Sequence, residues 1–462
     1  MMDGMSAGVS KRVTLIVIAI AQFLVPFSMS ALGVALPSIG RELAIDAVLL
    51  GWVATSYVLV TAAFLVPFGR LADISGRKRI FEYGICLHVI ASLLCAMANS
   101  GLLLIIFRVL QGISAAMITG IGIAILTSVF PPEERGRALG ISLGAVYLGL
   151  TLGPLLGGVL TEHLGWRSIF YLSAVLGFVV VVLIIWKLKG EWTGARGEKF
   201  DLIGSLVFIF SLVIMMYGFS VLPTVPGIVL FILGVLGLLA FVRWEGRVKS
   251  PIFNIDVFRR NTVFVFSNLA TLINYSAIFA ASFLMSLYLQ YNQGFSPQTA
   301  GLILMSSSVV MTILAPVAGR LSDRVEPRKV AAVGMAFSCV ALVLLAFLTE
   351  ATAVWYIVTS LVVMGMGIGF FSSPNANAVM GSVGKEFLGV ASGTQGTMRT
   401  SGMMLSMGIV MILFSMYIGK AEITPEYYPA FLSSMKVGFM IFAALCFGGI
   451  FAQLAGRRAI RA

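Results

Sequence analysis

Three titratable side chains, Arg108, Arg399 and His88, lie inside long apolar stretches of this 462-residue chain. A guanidinium in such surroundings binds anions or main-chain carbonyl groups, and an imidazole can carry protons near neutral pH. Direct ligand contact and purely structural hydrogen bonding are both compatible with Arg108. Arg399 either faces a cavity or snorkels to the membrane interface. His88 is either a proton-coupling residue or a buried neutral histidine.

Neutral polar residues in the same stretches could hydrogen-bond a small molecule. The candidates for substrate or cavity contact are Gln22, Ser28, Gln111, Asn274, Asn375, Asn377 and Gln395. A Gly-rich run at 365–369, followed by Ser372, Ser373 and Pro374, predicts a distorted helix, and irregular backbone at membrane depth is tolerated where it lines a cavity. The 33 Phe and 23 Met residues would supply an adaptable apolar wall.

The chain lacks the residue patterns of enzyme, metal or nucleotide chemistry. It contains two histidines, no Gly-rich phosphate loop, and four cysteines, none of them at metal-ligand spacing. We therefore expect no enzymatic activity, no cofactor, no metal site and no ATP-driven step. The cysteines are interpreted as packing residues.

The composition places these residues in a membrane protein. Hydrophobic residues make up 59% of the chain and charged residues 11%, against roughly 45–50% and about 25% in soluble domains. A spanning helix needs about 20 mainly apolar residues, and fourteen such stretches occur. They lie near 14–36, 48–68, 80–98, 102–128, 138–160, 168–186, 201–220, 225–242, 262–289, 299–319, 329–348, 353–375, 388–417 and 435–455.

The distribution of positive charge predicts the orientation. If the N-terminus is cytoplasmic, 25 of the 31 Lys and Arg residues fall in cytoplasmic segments, four in outer loops and two within spans. Both termini are then cytoplasmic, and the protein is expected in the plasma (inner) membrane. The net charge of +12 is explained by topology and by the anionic inner leaflet, so no nucleic-acid partner is expected.

A repeated motif divides the chain into two halves. Gly69-Arg-Leu-Ala-Asp73 follows the second span, and Gly319-Arg-Leu-Ser-Asp323 follows the tenth, 250 residues later, each with a basic cluster behind it. Internal repeats of this kind are typical of transporters. The predicted cytoplasmic gate loops contain Gly69, Asp73, Gly76, Arg77, Gly319 and Asp323. The alternative is that these basic loops only fix the topology.

The fifth span carries a run of small residues. It reads Gly149-x3-Gly153-Pro154-x2-Gly157-Gly158. Small residues permit close packing against a neighbouring helix, and a proline removes one backbone hydrogen bond and bends the helix. The run therefore predicts a packing motif with a role in the mechanism. The alternative is an ordinary glycine-mediated contact between two helices.

Together these motifs carry a family resemblance. The segment from Gly69 to Arg79 resembles the signature loop of the major facilitator superfamily, and Arg108-Val-Leu-Gln111-Gly112 resembles its buried-arginine motif. The Gly-Pro run of the fifth span resembles the packing motif of its exporters. Within the superfamily, the chain is similar to the fourteen-span branch of drug:proton antiporters.

The resemblance implies an all-α integral membrane fold with 14 transmembrane helices, arranged as two pseudo-symmetric six-helix bundles with an inserted two-helix hairpin. The bundles would be residues 1–190 and 262–462, and residues 191–261 would hold the linker, spans 7 and 8 and a cytoplasmic loop. The resemblance further implies a monomer in the lipid bilayer, which exports amphipathic drug-like compounds by alternating access and draws on a proton gradient.

One departure from the family pattern bears on the coupling ion. Fourteen-span antiporters usually carry an Asp in the first span, ahead of an Asn-Val-Ala-Leu-Pro stretch. This chain has Ser28 at the position of the Asp and Gly33 at the position of the Asn. All 19 acidic residues map to loops or span ends, so no membrane-embedded carboxylate is predicted. Two alternatives stay open: a transporter or uniporter of an anionic or neutral metabolite, and a non-transporting membrane sensor.

Overall fold

The structure, a computed structural model, describes residues 10–195, 197–248, 261–383, 388–419 and 421–455. Over these ranges it contains fourteen helices that are long and apolar enough to cross a membrane, as predicted. The first six are α1 (Lys11–Leu43), α2 (Ala47–Ser75), α3 (Arg77–Ala96), α4 (Gly101–Val129), α5 (Pro132–Leu164) and α6 (Arg167–Lys187).

Eight further helices complete the chain. The next two are α7 (Leu202–Ser220) and α8 (Val225–Glu245). The last six are α9 (Thr262–Leu287), α10 (Pro297–Arg324), α11 (Pro327–Ala346), α12 (Val354–Met380), α13 (Leu388–Tyr417) and α14 (Tyr428–Ala455). A short π-helical turn, Tyr288–Asn292, extends α9. We call the end of the bundle where α1 begins the terminal face, and the other end the opposite face.

Several helices run further than the apolar stretches that predicted them. The first, predicted at 14–36, continues through Pro37 and ends only at Leu43, followed by Ala44, whose φ of 48° is left-handed. The twelfth, predicted to be distorted and to end near 375, is helical through Pro374 as far as Met380. The glycines of this run serve close packing: a Cβ on Gly365 would meet the backbone of Ser307.

Short polar side chains define many helix starts. In each case a side-chain oxygen accepts a hydrogen bond from a backbone N–H of the first turn, which would otherwise lack a partner. Residues that cap helices in this way are Asp46 (α2), Ser100 (α4), Asp201 (α7), Thr224 (α8), Asn261 (α9) and Ser296 (α10).

The packing of the helices repeats after eight positions. In the first half α1 packs on α5, α2 on α4, and α3 on both α4 and α6. In the second half α9 packs on α13, α10 on α12, and α11 on both α12 and α14. The halves meet mainly through two pairs, α5 with α10 and α2 with α13. This arrangement is the pseudo-symmetry that the repeated motif predicted, while the exact domain boundaries stay a prediction.

Helices α7 and α8 form a hairpin at the side of the bundle. They pack mostly on each other, with smaller contacts to α2 and α13. Large apolar side chains of α8, among them Ile232, Leu236 and Leu239, are at least half exposed. Because such a surface is stable only in lipid, the hairpin lies between the bundle and the surrounding bilayer.

Candidate functional site

A cavity of about 1200 Å³ lies between the two halves. It is lined by α1, α2, α4 and α5 from the first half and by α9, α10, α12 and α13 from the second. At the terminal face its lining includes Asp73, Arg135 and Asn377. The cavity therefore extends from the middle of the bundle to the terminal face.

The opposite face is closed by contacts between the halves. Gln290 donates through Nε2 to the carbonyl of Val34 over 2.8 Å, and the Gln298 amide donates to a carboxylate oxygen of Glu162 over 2.9 Å. Deeper in the bundle, the hydroxyls of Thr151 on α5 and Thr312 on α10 lie 2.9 Å apart. These contacts separate the cavity from the opposite face in this conformation.

The structure brings about half of the predicted site residues to the cavity. Predicted residues that line it are Gly69, Asp73, Arg77, Arg108, Pro154, Asn375, Asn377, Gln395 and Arg399. Asn375 donates through Nδ2 to the hydroxyl of Thr271 over 2.6 Å, and Asn377 donates to Ser322 over 2.6 Å. These two asparagines thus connect α12 to α9 and α10 while they border the cavity.

Four polar candidates lie away from the cavity lining, each held in a contact between helices. Gln22 donates to the carbonyl of Thr119 over 2.9 Å, and the Ser28 and Ser173 hydroxyls are 3.0 Å apart. Asn274 is buried, with Oδ1 3.9 Å from the Cys446 sulfur. Gln111, the fourth, belongs to the network described next. Sequence spacing could not show which face of its helix each residue occupies.

Arg108 is fully buried in a network of neutral partners. Its Nε donates to the carbonyl of Val53 over 3.3 Å, and Nη1 donates to Oε1 of Gln111 over 2.5 Å. The guanidinium carbon lies 4.2 Å from the centre of the Tyr57 ring, a cation–π contact. Gln111 in turn donates to the Ser92 hydroxyl over 2.9 Å. Arg108 therefore joins α2, α3 and α4 within the first half.

His88 belongs to the interior of the same bundle. It is fully buried on α3, and its Nδ1 lies 3.2 Å from the hydroxyl of Ser114 on α4. On the other side, a Cβ on Gly177 of α6 would be in van der Waals contact with the imidazole. His88 is not part of the cavity lining, so its role in proton coupling stays a prediction that its position does not favour.

Arg399 differs from Arg108 in its surroundings. It lies on α13, lines the cavity, and makes no hydrogen bond or ion pair with any residue that the structure describes; its Nε is buried. Tyr147 of α5 and Tyr275 of α9 line the same cavity, and Tyr147 is close enough to Arg399 to interact with it electrostatically. Sequence reasoning missed both tyrosines because a Tyr in an apolar helix has no pattern that separates cavity lining from packing.

The small residues of α5 form two separate faces. Gly149, Gly153 and Gly157, four residues apart, share one face, and a Cβ on any of them would come within 2.6 Å of α1. Gly158 faces α10 instead, where a Cβ would be 3.0 Å from the Cα of Gln298 and closer still to the Pro297 carbonyl. One face therefore holds α5 inside the first half, and the other seals the contact between the halves.

The first predicted gate loop is held by the linker that follows α6. Asp73 pairs with Arg77 at 2.7 Å, and the Asp73 carbonyl accepts from the Gly194 amide over 3.0 Å. Glu191 accepts from the amides of Lys78 and Arg79 and so caps α3. Gly76 has φ of 122°, and a Cβ there would lie 2.6 Å from the Glu191 carboxyl carbon, so only glycine fits.

The second predicted gate loop is built differently. Gly319 packs against Ser373 of α12, where a Cβ would be 2.7 Å from the hydroxyl. Asp323 is exposed and has no ion pair with the described residues, whereas Glu326 pairs with Arg328. The repeat in sequence is therefore not a repeat in side-chain contacts, and the shared gating role stays a prediction.

The described residues contain no group of three or more side chains suited to hold a metal ion. The four cysteines are free, and two of them, Cys95 and Cys446, are buried. The groups that line the cavity offer hydrogen bonds, charge and apolar contact to a ligand.

Comparisons with known proteins agree on one family. The sequence profile of the Major Facilitator Superfamily matches residues 18–407 and, in a second match, 267–460. The riboflavin transporter RibZ of Clostridioides difficile is 28% identical over 95% of this chain and 96% of its own. The multidrug resistance protein Stp of Mycobacterium tuberculosis is 30% identical over 87% of this chain and 75% of its own.

Solved structures agree on the fold. A bacterial homologue of the human lysosomal transporter Spinster, in an inward-facing and unoccupied conformation, superposes with a TM-score of 0.67 at 17% identity, covering 98% of this chain and 99% of that one. The peptide transporter POT in complex with sulfate gives 0.70 at 16% identity, covering 96% and 95%. The chain is a multi-pass membrane transporter, not an enzyme, and it belongs to the major facilitator superfamily.

Proposed function

We propose that this protein is a secondary-active exporter of amphipathic drug-like compounds that works by proton-coupled alternating access. The observation that carries the proposal is the cavity between two pseudo-symmetric halves, closed at the opposite face and reaching the terminal face. Rocking of the halves about such a cavity would expose it to each side in turn. The α5–α10 contact through Gly158 would open as the α2–α13 side closes.

The proposed orientation puts the terminal face in the cytoplasm of the cell, in the plasma membrane. Lys and Arg are concentrated on this face, as in Arg77, Lys78 and Arg79 between α2 and α3. In this orientation the conformation described above is open to the cytoplasm. An exporter loads its substrate from that side, so the conformation is the one in which loading would occur.

The walls of the cavity suit amphipathic molecules. Apolar residues such as Phe279, Phe371, Met311 and Met407 alternate with hydroxyl and amide groups, among them Asn375. Methionine and aromatic side chains adapt to ligands of different shape. The relatives named as multidrug resistance proteins support this substrate class for the present chain.

Proton coupling depends on which titratable groups the cavity contains. Among the described lining residues the one carboxylate is Asp73, at the terminal face and already paired with Arg77. Ser28, where related antiporters carry a carboxylate, contacts Ser173 instead. This observation favours the alternative, a transporter or uniporter of an anionic or neutral metabolite. The relative named as a riboflavin transporter fits that alternative.

Transport by the purified chain in proteoliposomes tests both versions. Three fluorescent probes would be loaded: riboflavin (neutral), 2-naphthalenesulfonate (anionic) and ethidium (cationic). We expect protein-dependent flux of at least one probe, with protein-free liposomes as the control. Flux accelerated by an imposed pH gradient supports the exporter, and flux indifferent to it supports the uniporter. Absence of flux for all three probes contradicts the proposal.

A further inference from the structure

The two arginines inside the membrane-spanning region have different roles. Arg108 also borders the cavity, but its Nε and Nη1 are engaged by Val53 and Gln111 and its face is covered by Tyr57. Arg399 borders the cavity and makes no hydrogen bond or ion pair with the residues that the structure describes. A guanidinium presents five N–H donors in a planar fork. Arg399 therefore has donors available to a ligand, and Arg108 does not need one.

The charge of the cavity at the depth of Arg399 is not balanced by the protein. Asp73, the single carboxylate among the described lining residues, lies at the terminal face and is paired with Arg77. Arg77 is further satisfied by the Ser128 hydroxyl at 2.6 Å. An uncompensated cation in a low-dielectric cavity attracts an anion strongly and repels a second cation.

Other polar groups lie in the same region. The Asn375 side-chain oxygen on α12 is buried without a hydrogen-bond partner among the described residues and borders the cavity, and the Ser372 hydroxyl of the same helix contacts Tyr147 at the cavity wall. Gln395 precedes Arg399 by one turn on α13, so both side chains share a face of that helix. Polar groups of this kind are satisfied when a ligand or water occupies the site.

From this arrangement, and resting on the proposed transport function, we propose that the cavity binds amphipathic organic anions. The acidic group of the substrate, a sulfonate or carboxylate, accepts paired hydrogen bonds from Arg399. Its aromatic or aliphatic body packs against Phe279 and Phe371. Arg399 is thus the residue that sets the charge preference of the site, and Arg108 is a structural residue.

The position of this site connects ligand binding to the rocking of the halves. Arg399 lies on α13 in the second half, and Tyr147 lies on α5 in the first, close enough for the electrostatic interaction noted above. A bound anion neutralises Arg399 inside a cavity whose walls come from both halves. Binding at Arg399 therefore removes an uncompensated charge that would otherwise be enclosed when the cavity closes at the terminal face.

Two probes of equal shape test the inference: 2-naphthalenesulfonate, an anion, and 2-naphthalenesulfonamide, which is neutral at pH 7. Binding to the purified full chain in lipid nanodiscs would be measured by isothermal titration calorimetry. We expect the sulfonate to bind at least about tenfold more tightly than the sulfonamide. Arg399→Gln should remove this preference and leave sulfonamide binding within about twofold, and Arg399→Lys should retain part of it.

A matched control is Arg324→Gln, which removes one exposed positive charge at the end of α10, outside the cavity lining. We expect the control to keep the tenfold preference. Equal affinity of the two probes for the unaltered chain overturns the inference, as does a preference that survives Arg399→Gln, and so does an absence of sulfonate binding. The proposed transport function is tested separately: it fails if none of the three probes of the proteoliposome experiment crosses the membrane.

Because Arg399 makes no contact that holds the fold, Arg399→Gln should unfold at the same temperature as the unaltered chain. If this variant nevertheless fails to fold, the comparison of the two probes on the unaltered chain still decides the charge preference. In that case Arg399→Lys offers a second variant: it keeps a positive charge at the same position, and we expect it to retain part of the preference for the sulfonate.

Discussion

Because Gly157 and Gly158 lie on different faces of α5, we expect Gly→Ala at these two adjacent positions to have different effects. In Gly158→Ala the new methyl group would meet the backbone of Pro297 and Gln298 at the start of α10, in the other half. In Gly157→Ala it would lie 2.6 Å from the carbonyl oxygen of Ala31 on α1, in the same half. In the proposed rocking motion the first contact separates when the opposite face opens, whereas the second lies within one half and is kept.

The magnitude follows from the cost of overpacking, about 1–3 kcal/mol. For Gly158→Ala this cost falls on one conformation only, so the equilibrium shifts about 5-fold to 150-fold toward the conformation open at the opposite face. For Gly157→Ala the cost falls on both conformations, so the folded state is destabilised without a shift. Gly140→Ala, where a Cβ meets nothing within 4 Å, is the control for the change in helix propensity.

The shift can be measured by electron spin resonance between labels on the opposite face. Suitable sites are Leu164 at the end of α5 and Trp355 at the start of α12, which are 72% and 70% exposed. We expect a new population with a longer distance in Gly158→Ala, and a lower unfolding temperature with the original distance in Gly157→Ala. The same distance distribution in Gly158→Ala and Gly140→Ala would refute the claim that Gly158 lies in the contact that closes the opposite face.

Three further predictions concern groups outside the ligand site. Glu191→Gln should weaken the cap of α3 by about 0.5–2 kcal/mol and lower the unfolding temperature, whereas Glu350→Gln in an exposed loop should not. Arg108→Gln should lower the free energy of unfolding by about 1–3 kcal/mol for each buried partner left unsatisfied. The unfolding temperature should therefore fall in Arg108→Gln and not in Arg399→Gln. His88→Gln should leave any pH-driven uptake in everted vesicles unchanged, because His88 lies away from the cavity; loss of the pH response would assign it a coupling role.

The number and order of the helices were predictable because each span leaves a long apolar run bounded by charge. Their ends were less predictable: Pro37 in α1 and Pro374 in α12 suggest breaks, yet both helices continue through them. A proline removes one backbone hydrogen bond, and packing against neighbouring helices offsets that loss in a membrane bundle. Apolar runs therefore locate helices but do not locate their ends.

The site was predictable in composition and only partly in geometry. Arg399 and Asn375 line the cavity as expected, but Ser28 and Gln22 turn toward neighbouring helices. All four are polar residues in apolar helices, and all stretches are apolar enough that no amphipathic face marks the interior. The difference between a guanidinium held by partners, Arg108, and one without them, Arg399, depends on contacts between distant segments that spacing along the chain does not encode.

The central claim is that the halves alternate in closing the two faces of the bundle during transport. The hydroxyls of Thr151 and Thr312 are 2.9 Å apart across the halves, so cysteines at these positions could form a disulfide that locks the opposite face. In proteoliposomes loaded with riboflavin, 2-naphthalenesulfonate or ethidium, we predict that oxidation of the double variant abolishes flux and that dithiothreitol restores it, while Thr151→Cys alone is unaffected. Undiminished flux through the oxidised variant, with the disulfide verified by mass spectrometry, would contradict the account.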